Sequence, residues 1–158
     1  MKTLIKSAIV AASAVALSFG ITSVQADTDR SKIEAVLVTY ETALNASDTD
    51  KVMTVYRADG IFMPQNSPSQ IGTEAVRAAY DRVFEAIKLD IEFQVEEIVQ
   101  VAPAWAFVRT NSAGFVTINA TGERGPEANQ ELFIFQKGAD NEWKIARYIF
   151  STTNPPRQ

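Results

Sequence analysis

The chain has 158 residues, of which 46% are apolar and 22% are charged, a composition typical of a globular domain rather than a disordered or fibrous chain. Its 15 Lys and Arg residues against 19 Asp and Glu residues give a net charge of −4, so a nucleic acid is not expected as a partner. Because the chain contains no Cys and no His, disulfide bonds, thiolate catalysis, a Ser-His-Asp triad and His-based metal or haem sites are excluded.

Residues 1–26 have the pattern of a secretory signal peptide. Two lysines come before an apolar run at residues 8–21, and residues 24–26 form a small-x-small cleavage motif. An uncleaved anchor helix is the alternative, but the run is shorter than the roughly 20 apolar residues that cross a bilayer. The sequence therefore predicts a secreted or periplasmic protein whose mature domain, residues 27–158, has no contact with the membrane.

Helical periodicity dominates the first part of the mature chain. Apolar residues recur every three or four positions from Ile33 to Leu44, which predicts an amphipathic helix with a capping box formed by Ser31 and Glu34. A short second helix is predicted over residues 50–56. A third helix is predicted after the cap residue Thr73, and its apolar stripe is the strongest in the chain: Val76, Ala79, Tyr80, Val83, Phe84 and Ile87.

A two-residue period replaces the helical one in the second half of the chain. Turn residues separate the strand-like stretches, which predicts antiparallel hairpins. Helices that precede a run of strands predict an α+β fold in which one curved antiparallel sheet wraps around three N-terminal helices. The last stretch is predicted to be an edge or terminal strand because a proline pair follows it. The predicted strands are residues 61–63, 90–101, 105–120, 128–137 and 143–153.

Two neighbouring predicted strands carry polar residues among large apolar ones. Alternation places Arg109 and Asn111 on a face with aromatic side chains, and Glu131 on a face with Phe133. Burying such charges is costly unless they are paired or meet a ligand. Three interpretations stay open. These residues are polar groups at the floor of an apolar pocket, or Glu131 forms a structural ion pair with Arg109 or Arg147, or the face is simply exposed.

Aromatic and apolar residues of the helices and the first strand are candidates for the pocket wall. Tyr40 lies on the apolar stripe of the first helix, where its hydroxyl is either satisfied within the core or donates a hydrogen bond into a cavity. Phe62, Met63, Tyr80 and Phe84 are either ordinary core residues or part of that wall. No cluster of carboxylates has the arrangement of a metal site, so neither a metal nor a cofactor is expected.

Several segments resemble a known superfamily. The order of helices and strands over residues 31–156 is similar to the nuclear transport factor 2-like (NTF2-like) superfamily, which includes ketosteroid isomerase and the SnoaL-type polyketide cyclases. Residues 55–64 resemble its Y-x-x-D-A-x-hydrophobic motif. Residues 80–84, 129–133 and 143–155 resemble the SgcJ/EcaC-type subfamily of SnoaL-like proteins.

This resemblance implies a cone-shaped α+β barrel, often dimeric through the outer face of the sheet, with an apolar pocket between helices and sheet. In ketosteroid isomerase that pocket holds a Tyr donor, a base Asp and a protonated Asp. Tyr40 matches the donor and Glu131 matches the protonated acid, whereas the base position falls on Met63 or Pro64, which cannot accept a proton. The His/Asp pair of the SnoaL cyclases is not possible in a chain without His.

The first hypothesis for function is an exported module that binds a small, largely apolar molecule and forms a homodimer. The alternative is an isomerase, cyclase or dehydratase in which Glu131 exchanges a proton while Tyr40 or Arg109 stabilises an oxyanion. A further alternative is a dimeric partner-binding module with a filled barrel. The residues expected to contact the ligand are Tyr40, Phe62, Met63, Tyr80, Phe84, Arg109, Asn111, Glu131, Phe133, Tyr148 and Phe150.

Overall fold

The computed structural model describes residues 19–154, with side chains described from residue 28 onward. Residues 1–18 of the predicted signal peptide lie outside the described residues. The fold is α+β, as the sequence predicts, and no helix within residues 19–154 is long and apolar enough to span a bilayer. In chain order the elements are α1 (Phe19–Ala46), α2 (Thr49–Val55), β1 (Tyr56–Met63), β2 (Gln70–Ile71), α3 (Thr73–Ala86), β3 (Ile87–Ala102), β4 (Trp105–Ile118), β5 (Arg124–Lys137) and β6 (Trp143–Thr152).

The six described strands form one curled sheet in the order β2-β1-β6-β5-β4-β3. The pairs β3/β4, β4/β5 and β5/β6 are antiparallel, and β1 pairs with β6 in parallel. Within the described residues β2 and β3 each have one neighbour, so the sheet wraps around the helices without closing. The last strand is predicted to be an edge or a terminal strand, and only the edge option is wrong. β6 is the last described strand of the chain but lies inside the sheet, and it ends at Thr152, before the prolines that would interrupt its hydrogen bonds.

Side chains of α1 cover part of the β3 edge. The Asn45 amide donates to the carbonyl of Ile91 at 2.7 Å and accepts from the amide of the same residue at 2.9 Å. Glu41 accepts from the amide of Phe93 at 2.7 Å. These bonds satisfy edge groups that lack a strand neighbour, and they fix α1 over the concave face of the sheet.

The first helix begins earlier than the sequence predicts. α1 runs through Ser31, so the predicted capping box with Glu34 is not formed, and Glu34 pairs with Arg30 at 3.0 Å instead. A cap has no function there, because the backbone amides around Ser31 already lie inside the helical hydrogen-bond ladder. In α3, Thr73 is the first helical residue rather than the cap, since Gly72 occupies the N-cap position.

A buried acidic residue connects α1 to three strands. Asp29 is 1% exposed and accepts hydrogen bonds from Lys137 Nζ at 2.7 Å, Trp143 Nε1 at 3.1 Å and Gln100 Nε2 at 3.3 Å. Burial opposes ionisation of this carboxyl, but the hydrogen bonds and the lysine charge outweigh it and hold the pKa of Asp29 below its ordinary value. One carboxylate therefore holds the start of the domain against β3, β5 and β6.

Candidate functional site

A cavity of about 170 Å³ lies between α1, α3 and the concave face of the sheet. Since an engineered cavity of about 150 Å³ binds benzene, this space is large enough to hold one ring. Its apolar walls are formed by Tyr40, Leu44, Phe62, Tyr80, Val83, Ile87, Leu89, Ile91, Tyr148 and Phe150, and its polar lining by Ser112, Glu127, Asn129 and Glu131.

The exposure of the lining residues shows where the cavity opens. Tyr40, Tyr80 and Glu131 are each at most 3% exposed, so they form its deep part. Val83 of α3 and Leu89 of β3 are only half-buried and form part of the rim. The cavity therefore opens near the C-terminal end of α3 and the beginning of β3.

Several predicted contact residues line the cavity, while others lie just outside it. Phe133 is completely buried and stacks on Tyr148 with ring centroids 4.3 Å apart, and Phe84 packs on Tyr80 at 5.8 Å, so both support the wall without lining it. Met63 is absent from the lining because neighbouring strand residues face opposite sides of a sheet. The predicted residues that line the cavity are Tyr40, Phe62, Tyr80, Glu131, Tyr148 and Phe150.

Arg109 and Asn111 do not line the cavity, contrary to the prediction. Both lie on the outer face of β4, where Arg109 pairs with Glu97 at 2.9 Å and Asn111 donates to Glu96 at 2.8 Å. The interior is already occupied by aromatic rings from α1, α3 and β6, so β4 turns its smaller side chains inward and its larger ones outward. The polar side chains that β4 directs inward are therefore on its opposite face.

Glu131 is held by two hydroxyl groups that the sequence reasoning missed. Thr110 Oγ1 donates to Glu131 Oε2 at 2.6 Å, and Ser112 Oγ donates to Oε1 at 2.5 Å. The expected ion pair of Glu131 with Arg109 or Arg147 is not formed among the described residues. Burial raises the pKa of Glu131 above its ordinary value, although both hydroxyl hydrogen bonds act in the opposite direction.

All four tyrosines of the chain meet beside the cavity. The Tyr80 hydroxyl forms hydrogen bonds with the hydroxyls of Tyr40 at 2.5 Å and Tyr56 at 2.9 Å. The ring of Tyr148 contacts that of Tyr40 edge-on, with centroids 5.5 Å apart. Burial raises the pKa of every one of these phenols, so all four are neutral at physiological pH. Tyr56 is a member of this cluster that the sequence analysis did not single out.

Asn129 links the buried carboxyl to the rim of the cavity. Its Nδ2 donates to Glu127 Oε1 at 2.9 Å and, more weakly, to Ser112 Oγ at 3.4 Å. Its Oδ1 is buried and has no hydrogen-bond partner among the described residues. No group of three or more acidic side chains in the described part of the chain is placed to hold a metal ion.

A second concave surface lies on the outer face of the sheet. A groove of about 320 Å³ is lined by residues of β4, β5 and β6, among them Arg109, Leu132 and Ile149. Leu132 and Ile149 are 40% and 43% exposed, and Trp105 on the same side of β4 is 37% exposed. The outer face of the sheet therefore leaves several large apolar side chains exposed.

Both the sequence and the fold have known relatives. A sequence model described as the SnoaL-like domain matches residues 36–147. The chain belongs to the SnoaL-like family. No curated protein matches it, and the finer SgcJ/EcaC-type assignment stays a prediction.

Solved structures share the fold of this SnoaL-like protein. It is 38% identical to a ketosteroid isomerase-like protein from Erwinia carotovora atroseptica SCRI1043, with a TM-score of 0.76 over 79% of this chain and 96% of that one. An NTF2-like superfamily protein from Salmonella enterica serovar Typhimurium LT2 is 11% identical, with a TM-score of 0.72 over 82% and 94%. A domain with a cystatin-like fold from Nostoc punctiforme PCC 73102 is 16% identical, with a TM-score of 0.66 over 81% and 79%. The last two matches show the fold alone.

Proposed function

We propose that this SnoaL-like protein binds a small, largely apolar molecule of about one ring in the cavity between α1, α3 and the sheet. The observation that carries the proposal is the cavity itself, with aromatic and aliphatic walls and a few polar groups at one end. Phe62 stacks between Tyr80 and Tyr148, with centroids 4.8 Å and 5.6 Å away, so three aromatic rings form one continuous part of the wall. An interior filled with side chains, which the partner-binding alternative requires, does not agree with this cavity.

Native mass spectrometry of the protein isolated from its own cells tests the proposal. We expect a mass larger than that of the polypeptide by one small organic molecule, which is released on denaturation. A polypeptide that carries nothing, and that also shows no binding of toluene in a titration, would contradict the proposed function.

We also propose that the protein is exported and cleaved after Ala26. The support is the sequence pattern of residues 1–26, together with the position of Asp29, which would stand third in the mature chain and holds it to the sheet. The mass spectrum of the exported fraction decides this point separately. A chain that begins at Asp27 agrees with the proposal, whereas a chain that retains the first 26 residues contradicts it.

Replacing Val83 with tryptophan is expected to weaken toluene binding at least about tenfold, because the larger ring fills the rim of the cavity. Val38→Trp is the matched control, since Val38 lies on α1 and is 64% exposed. Circular dichroism establishes that both variants are folded, and ligand-observed NMR measures the affinity. Equal toluene binding by the two variants would show that the ligand does not occupy this cavity.

An isomerase, cyclase or dehydratase is the second candidate function. It is favoured by Glu131, a buried carboxyl beside the cavity whose pKa is raised by burial, as a proton carrier requires. In an isomerisation, Glu131 would take a proton from one carbon and return it to another, while the neutral Tyr40 hydroxyl donates to the developing oxyanion. The position matched to the base of ketosteroid isomerase holds Met63 or Pro64, so Glu131 would act without that base.

Glu131→Gln separates catalysis from binding. If Glu131 carries the proton, the glutamine variant is expected to lose turnover of the molecule identified by mass spectrometry by at least about a hundredfold, while its affinity changes much less. Thr42→Ala is a suitable control, because Thr42 is exposed on α1 and does not line the cavity. Equal losses of turnover and affinity would remove the catalytic role.

We propose that the protein forms a homodimer through the outer face of its sheet. NTF2-like domains often form dimers, and this face presents Trp105, Leu132 and Ile149 as exposed apolar residues around a shallow groove. Sedimentation equilibrium of the mature protein measures the stoichiometry. A dimer at micromolar concentration agrees with the proposal, and a monomer over the whole accessible concentration range contradicts it.

A further inference from the structure

The polar end of the cavity has more hydrogen-bond acceptors than free donors. The hydroxyls of Thr110 and Ser112 both donate to Glu131, and the side-chain amide of Asn129 donates to Glu127. These wall donors are therefore already used. The two carboxylates have further lone pairs, because a carboxylate accepts about four hydrogen bonds. The wall thus has an excess of acceptors.

Asn129 adds an acceptor that has no donor. Its Oδ1 is buried and has no partner among the described residues. Exchanging the oxygen and nitrogen of this amide would not solve the problem, because the oxygen would then face Glu127 Oε1, another acceptor, at 2.9 Å. The orientation of the amide is therefore fixed by Glu127, and a donor must come from outside the chain.

The charges at this end have the same sign. Glu127 and Glu131 both line the cavity, and no Lys or Arg is among its lining residues. Arg109 of the neighbouring strand faces outward, where it pairs with Glu97. The remaining walls are aromatic rings, whose faces attract cations.

We propose that the ligand of this cavity is a compact amine whose protonated amino group lies at the Glu127, Asn129 and Glu131 end. This inference rests on the proposed function and specifies its ligand class. An ammonium group brings three N–H donors for the excess acceptors. Its positive charge lies beside Glu127 and Glu131, neither of which has an ion pair among the described residues. The apolar part of the amine packs against the rings of Tyr40, Phe62 and Tyr148. A carboxylate ligand would meet groups of like charge at this end and is expected to bind more weakly than the amine.

Four one-ring probes of nearly equal size test the ligand class: benzylamine, benzyl alcohol, toluene and benzoate. At neutral pH and moderate salt, we expect benzylamine to bind the wild-type protein about tenfold to a hundredfold tighter than toluene, and benzoate to bind more weakly than benzylamine. Benzyl alcohol or toluene binding as tightly as benzylamine would overturn the inference while leaving the proposed cavity function intact. Failure of all four probes would contradict both.

Variants of the two carboxylates locate the amino group. Glu127→Gln and Glu131→Gln are each expected to reduce the preference for benzylamine over toluene, measured within the same variant, to about threefold or less. Glu92→Gln is the matched control, because it removes the same charge from an exposed position on β3. Since Glu127 is at the rim and half-buried, its variant keeps the test valid if Glu131→Gln does not fold. An equal loss of preference in Glu92→Gln would assign the effect to the overall charge and overturn the proposal.

Discussion

Replacing Asp29 with alanine is expected to lower the free energy of unfolding by about 3–5 kcal/mol. The substitution leaves Lys137, of which only 14% of the side chain is exposed, without its carboxylate partner, and leaves the buried indole N–H of Trp143 without an acceptor. Urea denaturation measures the change. Asp50→Ala is the control, because Asp50 is 87% exposed in its ion pair with Arg77 and is expected to contribute at most about 1 kcal/mol.

The same residue gives stability a defined dependence on pH. Because the folded protein holds the pKa of Asp29 below its ordinary value, its contribution is complete above the unfolded pKa of about 3.9 and is lost as pH falls through the folded value. The difference in unfolding free energy between wild type and Asp29→Asn should therefore be larger at pH 7 than at pH 2. A difference that does not change with pH, or an Asp29→Ala variant as stable as Asp50→Ala, would show that Asp29 is not an anchor.

Replacing Gly114 with alanine is expected to cost at least about 4 kcal/mol or to prevent folding. Gly114 of β4 lies opposite Ile91 of β3, and a Cβ at this position would overlap the carbonyl oxygen of Asp90 and approach Ile91 Cα to 2.8 Å. Backbone atoms cannot move aside as a flexible side chain can, so β3 would have to separate from β4. Since Ile91 lines the cavity, the substitution would also widen it.

Gly125→Ala is the matched control for this prediction, because a Cβ at Gly125 meets no atom within 4 Å. Thermal denaturation of the two variants should show a much lower transition temperature for Gly114→Ala and little change for Gly125→Ala. Two variants of equal stability would mean that the close approach of β3 and β4 is not required by the fold.

Periodicity predicts the type and order of the elements, but tertiary pairing sets some of their ends. The largest difference among the long strands is at β5, which begins at Arg124 rather than at residue 128. Gly125 and Pro126 have the composition of a turn, yet they lie in register with Val116 and Phe115 of β4. The long β4 strand extends the ladder through residues whose local preference is for a turn.

The sequence predicts some residues of the candidate site but not those of β4, because it does not show which face of that strand points inward. Glu131 and Tyr40 were chosen from their positions among apolar residues, and both line the cavity. On β4 the alternation leaves open which face is the inner one and makes Arg109 and Asn111 of the aromatic face candidate contacts, whereas Thr110 and Ser112 face inward. Ala106 and Val108 lie on the same face as Thr110 and Ser112 and carry no charge. This uncharged face was the sequence signal that it points inward.

Other buried polar contacts cannot be predicted because they join residues that are distant in sequence. The buried indole of Trp143 requires a hydrogen-bond acceptor, but nothing in the sequence identifies Asp29 as that acceptor. The three-tyrosine hydroxyl network similarly joins α1, α3 and β1, which only the folded chain brings together.

The central claim is that the cavity between α1, α3 and the sheet is the ligand site, and methyl NMR during a toluene titration tests it most directly. Leu44, Leu89 and Ile91 report on the cavity, whereas Leu132 and Ile149 report on the outer groove. We predict saturable shifts at the first three methyl-bearing residues and none at the other two. Shifts confined to Leu132 and Ile149, or no saturable shift at any of the five, would contradict the account.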